Sequence, residues 1–185
     1  NKVINPALNP TEGPLLMGEV IRKVSEAANN EAILVTDVGQ NQMFGCRYFK
    51  FTKPRSVVTS GGCGTMGFGF PAALGAKMGD RKRDVVCITG DGGFQMNMQE
   101  MATALVEDAH VLVVIMNNQN LGMVRQMQQL FYGKRYSLTS LIRTVDDEKR
   151  SCGAPMENIE YVPSVWSGGT FFVFLSANPD KPLMR

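Results

Sequence analysis

Two polar clusters near the middle of the chain contain residue types that suit anion binding. The first is the glycine-rich run at 90–93 (GDGG), and the second is the amide-rich run at 117–120 (NNQN). Gly90, Gly92 and Gly93 allow the backbone to approach an anion closely and to point amide N–H groups at it. Taken alone, such a run is more typical of a tight strand-to-helix turn, but the pairing of two clusters favours a ligand site.

The same clusters contain oxygen ligands that suit a small divalent cation. Asp91 supplies one carboxylate, Asn118 can add a neutral amide oxygen, and Asn120 can add its backbone carbonyl. Mg²⁺ is usually held by a few protein oxygens, while phosphates and water complete its octahedron. The residue types therefore predict a Mg²⁺ ion that clamps a diphosphate between the two clusters.

Each cluster follows an apolar run of a length typical of buried strands. These runs are 85–89 (VVCIT) and 111–116 (VLVVIM), and continuous apolar runs suit parallel strands that are covered on both faces. Segment 98–107 between them is rich in helix formers and has apolar residues at helical spacing. A strand–helix–strand unit places both clusters at strand C-terminal ends, where open parallel sheets bind ligands.

The remaining pattern extends this unit to an α/β domain with a doubly wound, mainly parallel sheet and helices on both faces. We expect a linker at 1–13 and one domain at 14–185, with a less regular tail at 141–185. Further elements are predicted as helices at 14–28, 71–77 and 121–131, and as strands at 32–36, 57–58 and 171–175.

Composition excludes several classes of function. A length of 185 residues suits one domain, and a net charge of +2 gives no reason to expect nucleic acid or membrane partners. No apolar run approaches the ~20 residues that a membrane span requires.

The four cysteines form no CxxC pair and the chain has one histidine, so a zinc site is not expected. Without a signal-peptide pattern, we expect a cytoplasmic protein with reduced thiols.

A third glycine-rich segment leaves a different function open. Gly62, Gly64 and Gly67 satisfy the pattern GxGxxG, and a predicted helix of small residues follows them. That arrangement is typical of dinucleotide-binding folds, although the pattern alone is weakly specific. A non-catalytic nucleotide-binding module therefore remains an alternative.

Four segments together resemble the thiamine diphosphate enzymes, and among them the catalytic subunits of acetolactate (acetohydroxyacid) synthases. They are 35–45 (VTDVGQNQMFG), 64–77 (GTMGFGFPAALGAK), 90–100 (GDGGFQMNMQE) and 116–137 (MNNQNLGMVRQMQQLFYGKRYS). They follow the family's order, and the similarity covers roughly residues 14–140. The resemblance implies the three-layer αβα thiamine diphosphate-binding fold, with thiamine diphosphate and Mg²⁺ as cofactors.

The resemblance also implies a role for individual residues. Gln40 and Asn41 contact the diphosphate, while Gly64 and Met66 hold the aminopyrimidine ring. The metal ligands are Asp91, Asn118 and Asn120. The full set of implied cofactor-binding residues is Gln40, Asn41, Gly64, Met66, Gly90, Gly92, Gly93, Asn118, Gly122 and Met123.

Two of the implied positions depart from the family's pattern. Asn41 stands where histidine is usual, and Met127, in the implied substrate pocket with Val124, stands where tryptophan is common. Asparagine still donates a hydrogen bond but carries no charge. The substitution at Met127 leaves the second keto acid open. Met66, Met123, Val124 and Met127 can instead be core packing residues. The predicted strand at 32–36 carries residues 37–42 to the ligand edge, where they can also be a polar loop without a ligand.

By resemblance, the full-length enzyme condenses pyruvate with a second 2-keto acid after decarboxylation. No catalytic residue is expected in this domain, because the family's activating glutamate comes from a separate pyrimidine-binding domain, usually on a partner subunit. Neither that domain nor the middle domain, where FAD is bound in some members, has a counterpart here. We therefore expect the 185-residue chain to be inactive alone.

The resemblance also implies partners for the full-length protein. These are a homodimer or higher oligomer and a possible regulatory subunit. Other thiamine diphosphate enzymes share the two clusters, so a domain of a pyruvate oxidase, a 2-keto acid decarboxylase or a glyoxylate carboligase remains an alternative.

Overall fold

The chain forms helices and strands in alternation. A computed structural model describes residues 16–141, 164–165 and 171–176; the predicted linker at 1–13 and most of the tail at 141–185 lie outside these ranges. The elements are α1 (Met17–Ala27), β1 (Ile33–Thr36), α2 (Gln40–Tyr48), β2 (Val57–Thr59), α3 (Gly69–Gly79), β3 (Val85–Gly90), α4 (Asp91–Met96), a 3₁₀ turn (Met98–Glu100), α5 (Met101–Val106), β4 (Leu112–Asn117), α6 (Gly122–Phe131), β5 (Ser164–Val165) and β6 (Phe171–Ser176).

The strands form one sheet in the order β2-β1-β3-β4-β6-β5. All neighbouring pairs are parallel except β5 with β6, which is antiparallel. Thr36 of β1 lies opposite Ile88 of β3, and Gly90 of β3 lies opposite Met116 of β4. Strands β3 and β4 end within one residue of each other and β1 ends two residues earlier than β3, so the loops that follow all three lie at one edge.

Helices cover both faces of the sheet, which explains why its strands are apolar without interruption. Successive residues of β3 point into different core clusters. Cys87 packs with Phe70 of α3, while Ile88 packs with Ile21 of α1. All four of these side chains are at most 2% exposed. The predicted three-layer αβα architecture with a doubly wound, mainly parallel sheet is confirmed.

The order of the strands creates a crevice beside β1. The chain passes from β1 to β2 on one side, and then crosses to β3 on the other side of β1. The connections that leave β1 and β3 therefore diverge to opposite sides of the sheet. In open α/β sheets, ligands bind at such a topological switch point, outside the carboxyl ends of the strands.

The segment after β3 differs from the single helix predicted at 98–107. Helix α4 begins directly at Asp91, the chain bends at Asn97, and a 3₁₀ turn and α5 follow. The bend is fixed because the Asn97 side chain donates a hydrogen bond to the Gly67 carbonyl (2.7 Å). The apolar residues of this segment are partly exposed, with Met98 at 45% and Leu105 at 47%, so they do not form a buried helical face.

Thiol reactivity provides a test of this packing. Cys87 is fully buried in the sheet, and burial, with a smaller effect of the Asp37 charge, raises its pKa far above the ordinary thiol value. Cys63 is exposed; Cys46 is also exposed, although partial burial raises its pKa. Iodoacetamide should therefore modify Cys63 and Cys46 in the native chain but reach Cys87 only after denaturation, as read by peptide mass spectrometry. Modification of native Cys87 at a similar rate would contradict the packing.

Within residues 16–141 and the two short strands beyond them, no helix combines the length and apolar character needed to cross a membrane. Six α-helices and one 3₁₀ turn are seen there, and the longest α-helices have 11 residues.

Candidate functional site

A cleft lies at the sheet edge where β1, β3 and β4 end. The space in and around it is about 460 Å³, which includes open solvent at its mouth. Its walls come from the loop after β1, from Met66, from the 90–93 run, and from segment 116–124. The two polar clusters that the sequence predicted to meet therefore do meet, together with residues that follow β1.

Asp91 places a carboxylate in this cleft, on a residue only 6% exposed. Burial raises the pKa of the Asp91 carboxyl above its ordinary value, because desolvation disfavours the charged form. Backbone N–H groups act in the opposite direction and lower it; they belong to Asp91, Gly92, Gln119 and Asn118. The carboxylate therefore connects the two polar clusters, and a bound cation would offset the cost of its burial.

The loop after β4 presents oxygen atoms beside Asp91. The Asn118 side-chain oxygen accepts the backbone N–H of Asn120 at 3.0 Å, and the Asn120 side-chain nitrogen donates to the Asn118 carbonyl at 2.7 Å. Arg125 donates to the Asn120 side-chain oxygen at 3.4 Å and stacks on Tyr136 at 4.2 Å. Because its side chain is engaged on both sides, Asn120 has its backbone carbonyl as the oxygen left to offer a metal.

Gln40 joins the loop after β1 to the opposite wall. Its amide oxygen lies 3.4 Å from the Asn118 amide nitrogen, and its amide nitrogen donates to Gln126 of α6 at 3.2 Å. Gly122 allows this approach, because a Cβ there would lie 2.5 Å from the Gln40 oxygen and 2.7 Å from the Asn118 nitrogen. The start of α6 is thereby held close to the cleft.

Asn41 lines the cleft but directs one hydrogen bond away from it. Its side chain is 4% exposed and its amide nitrogen donates to the Ile88 carbonyl of β3 at 3.1 Å. This bond ties the start of α2 to the end of β3. The amide brings no charge to the cleft, whereas a histidine at this position would introduce a titratable group.

Asp37, directly after β1, occupies the place where a GxGxxG turn would bind phosphate. Its carboxylate accepts the backbone N–H groups of Gly67 at 3.1 Å and Gly69 at 2.8 Å. Gly69 is the first residue of α3. Since helix N-termini attract anions, this carboxylate takes the N–H groups of Gly67 and Gly69 that a phosphate at the start of α3 would otherwise use.

The charge of the cleft decides which ligands suit it. Within the part of the chain that the structure describes, its seventeen lining residues include one carboxylate and no lysine, arginine or histidine. A diphosphate would meet like charge there unless a cation were bound between them. One carboxylate, one amide oxygen and one carbonyl match the few-oxygen set that Mg²⁺ favours, so the donor set fits a metal-bound diphosphate.

Comparison with known proteins agrees with this chemistry. Residues 37–158 match the family described as "Thiamine pyrophosphate enzyme, C-terminal TPP binding domain". The chain belongs to this family. The matched region includes every loop that forms the cleft, and the resemblance drawn from the sequence motifs is confirmed.

Relatives of this domain are named acetolactate synthases. The chain is similar to the acetolactate synthase of Mycobacterium bovis, with 50% identity over 131 residues, which are 71% of this chain and 21% of the relative. The large subunit of acetolactate synthase isozyme 3 from Escherichia coli is 52% identical over 118 residues, 64% of this chain and 21% of the subunit. The acetolactate synthase large subunit from Haemophilus influenzae is 46% identical over 129 residues, which are 70% of this chain and 22% of the subunit. The chain thus spans about a fifth of the length of these relatives.

The structure brings together most, but not all, of the residues predicted to form the site. Gly64 and Met127 lie outside the cleft lining, and Met127 is 48% exposed on α6. The residues that do line the cleft are Gln40, Asn41, Met66, Gly90, Asp91, Gly92, Gly93, Asn118, Asn120, Gly122, Met123 and Val124.

Five residues that line the cleft were not predicted as site residues, although some lie in segments that the sequence placed in a strand, a helix or a loop. The additional lining residues have small or apolar side chains, so their residue types gave no chemical signal. Val38 and Gly39 belong to the loop after β1, whose position at the ligand edge was the one indication available. The additional lining residues are Met17, Val38, Gly39, Met116 and Leu121.

Proposed function

We propose that this chain binds the diphosphate of thiamine diphosphate through a Mg²⁺ ion held by Asp91, Asn118 and Asn120. The observation that supports this most strongly is the charge of the cleft. A buried carboxylate lies between two backbone-rich loops, and the described lining has no basic side chain. A cation bound beside Asp91 would remove its repulsion of a diphosphate, and the family match names the cofactor.

Different residues of the cleft would contact the diphosphate and the rings of the cofactor. Gly90, Gly92 and Gly93 leave the backbone of the 90–93 run open to phosphate oxygens. Gln40 is close enough to Asn118 to donate to the same diphosphate after a change of rotamer. Met66 and Met123 line the cleft with flexible apolar side chains suited to the rings. When bound, the cofactor supplies an electron sink for decarboxylation of a 2-keto acid.

We propose the activity of the relatives for the full-length protein to which this domain belongs. That activity is acetolactate synthesis, in which pyruvate condenses with a second 2-keto acid. Val124 lines the cleft at the start of α6 and would face the substrate, whereas Met127 lies one turn further along the same helix. The catalytic glutamate, and FAD if it is used, would belong to other domains, in a cytoplasmic enzyme.

Helix α6 supports an oligomeric full-length enzyme. None of its residues is buried, and its apolar side chains form an exposed face. Met127, Leu130 and Phe131 are between 48% and 69% exposed and lie outside the cleft lining. We propose that a second copy of the full-length protein covers this face, and that a regulatory subunit binds elsewhere. Light scattering of the full-length protein should then give the mass of at least a dimer, and the mass of a monomer would contradict the proposal.

Calorimetry with the 185-residue chain tests the proposed cofactor. Thiamine diphosphate with Mg²⁺ should bind, each component alone should bind far more weakly, and NAD should not bind. Binding of NAD without thiamine diphosphate would support the nucleotide-binding alternative, which Asp37 disfavours because its carboxylate already caps α3. The chain alone should form no acetolactate from pyruvate.

A second alternative is a domain of another thiamine diphosphate enzyme, such as a pyruvate oxidase, a 2-keto acid decarboxylase or a glyoxylate carboligase. The cleft would look the same in each case, because the diphosphate and the metal are shared. The names of the relatives favour acetolactate synthase. Product analysis of the full-length protein with pyruvate, and with glyoxylate in a separate assay, separates these enzymes, since acetolactate, acetaldehyde, acetyl phosphate and the carboligation product of glyoxylate are distinct.

Asn41→His should make cofactor binding depend on pH. An imidazole with a pKa near ~6.5 adds a positive charge beside the diphosphate as the pH falls, where the wild-type amide adds none. The affinity of the variant relative to wild type should therefore rise about threefold to tenfold between pH 8 and pH 6. Calorimetry of both proteins at each pH measures this ratio, which cancels the titration of the cofactor itself. A ratio that stays constant would place Asn41 away from the diphosphate.

A further inference from the structure

One buried carboxylate lies outside the proposed metal site but contacts both sides of the cleft. Asp37 is 1% exposed and its side chain accepts hydrogen bonds from three backbone N–H groups, those of Val38 (2.8 Å), Gly67 and Gly69. Within the described part of the chain, no cationic side chain forms an ion pair with it. Its charge is therefore held by backbone amides, so the conformation of the 64–69 loop depends on it.

The 64–69 loop supports one wall of the cleft through Met66. Asp37 binds the Gly67 N–H from one side, while Asn97 donates to the Gly67 carbonyl at 2.7 Å from the other. A further hydrogen bond, from the Thr65 N–H to the Ser60 hydroxyl (3.0 Å), is exposed. The bond from Gly67 to Asp37 is buried and the bond from Asn97 is part-buried, so solvent competes less with them than with the exposed Thr65 bond.

The other side of Asp37 faces the 90–93 run. A Cβ on Gly93 would lie 2.8 Å from the Asp37 Cγ, so the backbone of the run packs directly on the carboxylate. Asp37 thus lies between the Met66 wall and the diphosphate-binding run. Its hydrogen bonds reach the Met66 side, whereas its contact with the run is one of packing.

We infer that Asp37 is a positioning residue that holds the Met66 wall at the distance the ring portion of thiamine diphosphate requires. This inference rests on the proposed function. Asp37 would affect the two ends of the cofactor differently. Its hydrogen bonds fix the wall of the cleft beside the rings, whereas the metal and the 90–93 run hold the diphosphate. Losing these hydrogen bonds should therefore weaken ring recognition while leaving diphosphate recognition intact.

Asp37→Asn tests this with little change in shape. One oxygen becomes an NH₂ group that faces the N–H of Gly67 or Gly69, which loosens the loop without adding volume. Calorimetry with Mg²⁺·thiamine diphosphate should show about tenfold weaker binding, while Mg²⁺·pyrophosphate should change by less than about twofold. Asp80→Asn at the far end of α3 is the matched control and should change neither affinity.

The comparison of two ligands separates the possible outcomes. Equal loss of both affinities, or loss of neither, would overturn the role of Asp37. If wild type bound neither ligand, the proposed function itself would fail. Should Asp37→Asn not fold, Asn97→Ala removes the other restraint on Gly67 and should weaken thiamine diphosphate binding alone; unchanged binding by that variant would also count against the inference.

Discussion

Asp91→Asn should lower the affinity of the chain for Mg²⁺·thiamine diphosphate by about a hundredfold or more. The carboxylate is the one charged group in the described lining of the cleft and the proposed metal ligand, and losing one member of a buried charge pair costs about 2–5 kcal/mol. An amide of the same shape preserves the packing between the two polar clusters. The loss of binding should therefore exceed the loss of stability, which is limited to the weakened backbone N–H bonds to residue 91.

Calorimetry and thermal unfolding of the same samples measure the two effects separately. Asp84→Asn is the matched control, because Asp84 is exposed just before β3 while Asp91 directly follows the same strand. The control should bind like wild type. If Asp91→Asn kept metal-dependent binding within a few fold of wild type, the metal would be held by other residues.

Gly93→Ala should destabilise the chain by about 1–3 kcal/mol, as is typical when a methyl group is added to a full core. The new Cβ would lie 2.8 Å from the Asp37 Cγ and 3.2 Å from the Thr89 hydroxyl. Asp37 and Thr89 are at most 1% exposed, so neither can move into solvent to relieve the contact. Either the 90–93 run, which lines the cleft, or the Asp37 carboxylate, which packs behind it, must shift.

Gly75→Ala is the same substitution at a position where it should stabilise the chain. Gly75 lies within α3, and a Cβ there meets nothing within 4 Å. Because alanine favours the helix, this variant should be more stable by up to about 1 kcal/mol. Denaturant unfolding of both variants gives the two free energies. Equal stability of the two would show that Gly93 does not pack on Asp37 in solution.

The sequence predicted the sheet well because its strands are buried on both faces. Runs such as 111–116 are apolar without alternation, which is a pattern specific to covered parallel strands. Once β3 and β4 were placed side by side, the rule that ligands bind at the carboxyl ends of parallel strands brought Asp91 to Asn118. The general position of the site therefore followed from local pattern.

Features that depend on long-range contacts could not be predicted in this way. Asp37 was placed at the ligand edge, but residue type alone does not show that a carboxylate will turn inward and cap α3. Likewise, Gln40 meets Gln126 across 86 positions of sequence. The bend at Asn97, where α4 ends and the 3₁₀ turn begins, is accompanied by a hydrogen bond from Asn97 to Gly67, a contact that local helix propensity cannot predict.

The most direct test is a crystal of this chain grown with thiamine diphosphate and Mn²⁺ in place of Mg²⁺, because anomalous scattering locates the metal without ambiguity. We expect one anomalous peak at about 2.0–2.2 Å from the Asp91 carboxylate, the Asn118 side-chain oxygen and the Asn120 carbonyl, with diphosphate oxygens completing the octahedron. A cofactor whose diphosphate lies away from the 90–93 run, or a peak that none of these three residues contacts, would contradict the proposed function.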